Sequence, residues 1–133
     1  MIGVDSNVLL RFFVNDDAGQ HRRSRAFFAA RSEVDPAHVN VVVLAELVWL
    51  MSKRYRLKHA DIVAALRYLI ESVNVEIENR SLVEQAVGAY AQTADIGFAD
   101  LLIAGLNEQA GCRSTATFDI PAARDIPGME LLK

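Results

Sequence analysis

AHVNVVVLAELVWLM, residues 37–51, decides the fold. Ala37-His38-Val39 reads as a strand, and Asn40 is a residue type that caps helices. Val41-Val42-Val43 could continue the strand, but the length of the segment and the basic Lys53-Arg54 that follows favour a helix to about Tyr55. A strand running straight into a helix is the unit of an α/β protein. Residues 41–51 hold ten apolar side chains and one carboxylate, Glu46. Its neighbours three and four positions away are Val42, Val43, Trp49 and Leu50, none able to neutralise it. Either Glu46 lies on a thin exposed edge, or something distant in the chain meets it. A carboxylate buried without a partner gives up its charge or destabilises the fold.

The same alternation extends both ways. Residues 2–4 read as a short buried strand, and 6–14 as a helix opened by Ser6 and Asn7. Asp16 and Asp17 precede a helix to about Arg31 whose apolar stripe reads as Ala26, Phe27 and Ala30. Residues 33–36 turn at Pro36. A helical spacing follows at Ile62, Leu66, Leu69 and Ile70, then a strand over 73–77. Ser81-Leu82-Val83-Glu84 has the form of a capping box. Gly97 opens a helix that ends before Gly111, residues 113–117 read as a strand, 120–124 as a helical turn with Pro121 near its start, and 129–132 as a last strand. Short strands alternating with helices predict one α/β domain over residues 1–133, an α/β/α sandwich with a short, mostly parallel central sheet.

Composition narrows the function classes. A chain of 133 residues, 52% apolar, is long enough for one real core. No apolar run approaches the roughly 20 residues of a membrane span, and the first five residues carry no basic n-region. Cys112 is the only cysteine, which excludes an internal disulfide and a cysteine zinc site and fits a cytoplasmic protein. His21, His38 and His59 have no ligand spacing to one another and read as surface or core residues. Trp49, Phe12 and Phe13 read as packing residues, and Cys112 as a small buried hydrophobe. The net charge is −3, yet eight of the 14 Lys and Arg residues fall between positions 22 and 58. They form either solvated helix faces or a phosphate-contacting set.

Four acids stand where this layout puts functional groups. Asp5 follows the first strand, Asp119 follows the 113–117 strand, Asp100 lies in the first turn of the Gly97 helix, and Glu46 interrupts the apolar run. Ligands of open parallel sheets gather beyond the carboxyl ends of strands. Each acid also has a plain reading: Asp5 and Asp119 as helix N-caps, Asp100 as a partner of the helix dipole, Glu46 as an edge residue. Taken together, they would repel one another by about 4 kcal/mol per close pair. Such a cluster calls for protons or a cation, and carboxylates without His or Cys suit Mg²⁺ or Mn²⁺.

The motifs resemble those of PIN domains, and specifically the small VapC-type toxins of bacterial toxin–antitoxin pairs. The matching pieces are Val4-Asp5-Ser6-Asn7-Val8-Leu9-Leu10, Leu44-Ala45-Glu46-Leu47-Val48-Trp49, Gly97-Phe98-Ala99-Asp100-Leu101-Leu102-Ile103-Ala104 and Thr115-Ala116-Thr117-Phe118-Asp119, in family order. The resemblance implies a Mg²⁺-dependent endoribonuclease, with Mn²⁺ as a possible substitute. Asp5 and Asp100 would be the main metal ligands, and Glu46 and Asp119 would complete the acidic cluster. Ser6, Asn7 and Thr117 would orient carboxylates or substrate. The expected reaction is in-line attack of activated water on an RNA phosphodiester. One departure stands out: relatives often carry an aspartate three residues before the Asp100 position, and here that residue is Gly97, with Asp95 nearby but out of step.

The resemblance also implies a homodimer and an antitoxin peptide that covers the acids, with an Arg set against the carboxylates. No DNA contact is expected of this chain alone. Setting aside the four acids leaves 13 acidic residues against 14 Lys and Arg, so weak general RNA binding is expected. Two other readings are weaker. A metal-dependent phosphatase would need a second aspartate where Asn7 stands. A non-catalytic RNA- or partner-binding module would not need all four acids.

Overall fold

The computed structural model describes residues 1–133, whose contacts divide into two units, Met1–Arg80 and Ser81–Lys133. In the first, β1 (Ile2–Gly3), β2 (Ala37–Val39) and β3 (Val75–Ile77) form a parallel sheet in chain order. The register pairs Ile2 with Ala37, and Ala37 in turn with Val75. Parallel neighbours need crossover connections. These are α1 (Ser6–Phe13) with α2 (Ala18–Ala29), then α3 (Val41–Trp49) with α4 (His59–Glu71). Sequential order leaves the carboxyl ends of all three strands on one edge, followed directly by Val4-Asp5, Asn40 and Glu78.

The opening stretch resolves as strand, cap and helix. Asn40 accepts the Val43 N–H at 2.8 Å, and the Glu78 carboxylate accepts that of Val41 at 3.0 Å. Two N–H groups that the first turn cannot satisfy internally are thus met. Leu44, Leu47 and Val48 are buried on α3, while Val42, Glu46 and Trp49 are exposed along one stripe. Glu46 therefore interrupts the apolar run because it lies on the helix edge. Beyond Trp49 the helix widens into a π-helical turn, Leu50–Arg54, which ends near Arg56 at a positive φ of 52°.

α2 departs from the expected stripe. Ser24 and Phe28 are its buried residues, whereas Ala26 and Ala30 are exposed and Phe27 is half-buried. The Ser24 hydroxyl donates to the Val8 carbonyl on α1 at 2.5 Å. The Arg11 guanidinium donates to Gln20 on α2 and to Tyr55 beyond the π turn, both at 2.8 Å, and sits 3.0 Å from Asp16. Polar contacts thus set which face of α2 is inward, and Asp17 alone caps it, through the Gln20 N–H.

The second unit carries α5 (Arg80–Gln92) apart from its first residue, α6 (Phe98–Gln109), β4 (Thr115–Thr117), α7 (Ile120–Asp125) and β5 (Met129–Leu131). β4 and β5 form a parallel pair of their own, Thr115 opposite Met129. The strands thus occupy two short parallel ladders where one central sheet was expected; the α/β class and parallel pairing hold. Ile96, Ala104, Ala122, Ile126 and Met129 form a buried cluster. Gly105 lets α6 approach α5, since a Cβ there would stand 2.2 Å from Leu82 Cδ1. Gly111 ends α6 with a φ of 92°, in the left-handed region that glycine enters without Cβ strain. Ser81 lies inside α5, which begins at Arg80, so the capping-box reading, with Ser81 as cap and Leu82 as first helical residue, places the start two residues late. No helix is long and apolar enough to cross a membrane.

Candidate functional site

The first unit brings together Asp5, Ser6, Asn7 and Glu46. Asp5 is exposed at the end of β1, and its Oδ1 accepts the Val8 N–H at 3.1 Å, capping α1. Ser6 is 2% exposed and donates its hydroxyl to the Glu46 carboxylate. A buried hydroxyl needs an acceptor, so this bond fixes the angle at which the exposed Glu46 side chain leaves α3. Asn7 is exposed one residue further along α1. Asp5, Ser6 and Asn7 thus take the roles of cap, tether and surface amide.

The second unit brings together Asp100, Asp119 and Thr117. Asp119 caps α7 through the Ala122 N–H at 2.9 Å, and its own N–H donates to the Thr117 hydroxyl at 3.0 Å. Thr117 thereby holds the loop that presents the carboxylate. Asp100 is half-buried in the first turn of α6. Desolvation, and secondarily the charge of Asp119, push its pKa above the ordinary aspartate value. Gly97 is the cap residue of α6, and a Cβ there would stand 3.0 Å from Asp100 Oδ2. The Asp100 carboxylate thus leans over Gly97. Asp95 is exposed and feels Arg124.

None of Asp5, Glu46, Asp100 and Asp119 forms an ion pair with Lys, Arg or His. No three His, Cys, Asp or Glu side chains gather at metal-binding spacing. The donors offered are carboxylates, with Ser6 and Thr117 hydroxyls beside them and no imidazole or thiol among these contacts. Within each unit, oxygen donors of this kind suit a hard divalent ion, which can be bound by one or two carboxylates with waters completing the shell.

The plain readings of Asp5 and Asp119 as caps are correct, and each cap uses one carboxylate oxygen. Trp49 is 59% exposed on the Glu46 stripe, and Phe118, beside Asp119, is 79% exposed. The packing role expected of Trp49 is therefore corrected; its spacing from Glu46 was the available signal. Cys112 is exposed, not buried, because it follows the turn at Gly111. Glu78, at the same sheet edge as Asp5, carries no sequence signal of its own because its carboxylate caps α3 from 37 positions away.

The raised Asp100 pKa has a consequence for stability. The folded chain holds this proton more tightly than the unfolded chain, so stability falls as pH climbs from about 3.9 through the raised value. Asp100→Asn is therefore expected to raise the Tm of the metal-free chain at pH 7 and to bring no such gain at pH 3. Calorimetric scans at both pH values check this; equal gains would contradict it.

A search of curated proteins finds no significant match. The PIN domain profile matches residues 2–124, crossing the boundary between the two units and taking in all four acids. The chain therefore belongs to the PIN domain family, whose members are generally nucleases and typically depend on a divalent metal.

Proposed function

We propose that this protein is a Mg²⁺-dependent endoribonuclease and the toxin of a toxin–antitoxin pair, with Asp5, Glu46, Asp100 and Asp119 as its acid set. The observation that carries the reading is Asp100: desolvated, beside the charge of Asp119, and without a cationic side chain to offset it. A carboxylate whose charge is opposed by burial and by a like-charged neighbour gains from a divalent ion that supplies the missing charge. When bound, Mg²⁺ would polarise the phosphodiester and lower the pKa of water.

The chain's own residues do the rest. Asp5 and Asp100 would hold the ion, and Glu46 and Asp119 would steer the proton of the attacking water. Ser6 holds the Glu46 carboxylate, and Thr117 the Asp119 backbone, before substrate arrives. Single-stranded RNA is the proposed substrate, since its unpaired bases and 2′-hydroxyls are open to contact. The toxin role, a homodimeric state and a cognate antitoxin that shields the acids belong to the same proposal and draw on the motif resemblance.

Incubation of purified chain with an RNA oligonucleotide in millimolar Mg²⁺, then with EDTA, tests it. Internal cleavage that stops on chelation and returns with Mg²⁺ or Mn²⁺ is expected, and the matching DNA should survive. EDTA-resistant cleavage would refute the metal dependence, and no cleavage of any RNA would favour a non-catalytic binding module.

A further inference from the structure

We propose that the cleft between α1 and α2 is a phosphate-binding subsite that leads an RNA strand to Asp5, with Arg23 as its cation; this rests on the nuclease reading above. The cleft has a volume of about 680 Å³ and lies within the first unit. Gly3 and Asp5 line it at the end of β1, Asn7 and Arg11 from α1, and Gln20 and Arg23 from α2. Asp5 thus borders the cleft directly.

The two arginines differ in what already holds them. Arg11 is half-buried and bound to Gln20, Tyr55 and Asp16, so its charge is offset and its position set. Arg23 is exposed and forms no ion pair or hydrogen bond within the chain. Its guanidinium therefore loses no internal partner on meeting an anion, and it suits bidentate contact with phosphate oxygens. Gln20, Arg23 and Phe27 follow one another at three- and four-residue steps, so one face of α2 presents them to the cleft. At Gly3 no atom lies within 4 Å of where a Cβ would stand, which leaves the strand end open to a backbone phosphate. Asn7 adds amide donors beside Asp5.

In this cleft Asp5 is the one acidic group, and its charge opposes a phosphate until it is removed or offset. Binding is therefore best measured in the Asp5→Asn chain, where no metal is needed and no cleavage intervenes. The probe is a fluorescently labelled single-stranded RNA of mixed sequence, followed by anisotropy over a salt series. Arg23→Ala in that background is expected to weaken binding roughly tenfold at low salt and to reduce the slope of log K against log salt by about 0.7. Arg23→Lys should restore most of the slope. Arg67→Ala, an equal charge loss at an exposed position of α4 outside the cleft, should leave both unchanged.

An Arg23→Ala curve that matches the parent, or one matched by Arg67→Ala, would overturn the subsite. If the wild-type chain still cleaves RNA in that case, only the subsite falls. A wild-type chain that neither cleaves nor binds RNA removes the nuclease reading and the subsite together.

Discussion

Asp5→Asn is expected to lower RNA cleavage by on the order of 100-fold or more, the scale on which even groups behind metal ligands act, while leaving the fold intact. The separation is possible because Asp5 has two duties. One oxygen caps α1 through the Val8 N–H, and the carboxylate as a whole is proposed to hold the metal. Asparagine caps helices about as well as aspartate, so the first duty survives the substitution and the second does not. Asp5→Ala removes both, and should cost an additional 0.5–2 kcal/mol of stability, typically about 1. Cleavage assays beside thermal melts distinguish the two variants. Equal losses of stability in both would mean that the Asp5 cap contributes through charge more than through its hydrogen bond. Asp119→Asn should behave in the same way, because Asp119 caps α7 through the Ala122 N–H.

The largest expected loss of stability follows Phe98→Ala. Phe98 is 2% exposed and meets Tyr90 edge-on, ring centroids 5.6 Å apart. Removing a buried phenylalanine costs about 3–5 kcal/mol, from lost transfer energy and the cavity left behind. In a chain of this size that should lower the Tm by roughly 10–20 °C. Phe98 also opens α6, two residues before Asp100. Its loss should therefore loosen the turn that holds that carboxylate, lowering cleavage at temperatures where the chain is still folded. Thermal melts and cleavage rates at 20 °C check both effects. A fully folded Phe98→Ala chain with an unchanged Tm would contradict the burial on which α6 depends.

The parts of the fold that were legible share a cause. Asn40 before Val41, Asp5 before Ser6 and Asp119 before Ile120 announce helix starts because capping is local chemistry. Gly111 announces a stop for the same reason. The strands were less legible, being only two or three residues long, too short for alternation to show which ladder each joins. The buried face of α2 escaped hydropathy because a hydroxyl, Ser24, turns inward to meet the Val8 carbonyl. The π-helical turn at 50–54 had no local signal of its own.

The acids were legible as a set by position at element ends, but their supports were not. Nothing in the chain order announces that Ser6 donates to Glu46, forty positions away. The exposure of Trp49 was hidden by its apolar neighbours. Once Leu44, Leu47 and Val48 face inward, the helical period turns Val42, Glu46 and Trp49 outward together.

The central proposal is that these carboxylates bind divalent metal. Titration of the purified chain with Mn²⁺, followed by the loss of the free-ion electron paramagnetic resonance signal, tests it most directly. Binding by the wild type that is weakened in Asp5→Asn and in Asp100→Asn alike is the predicted result. Binding that neither substitution changes would contradict the account.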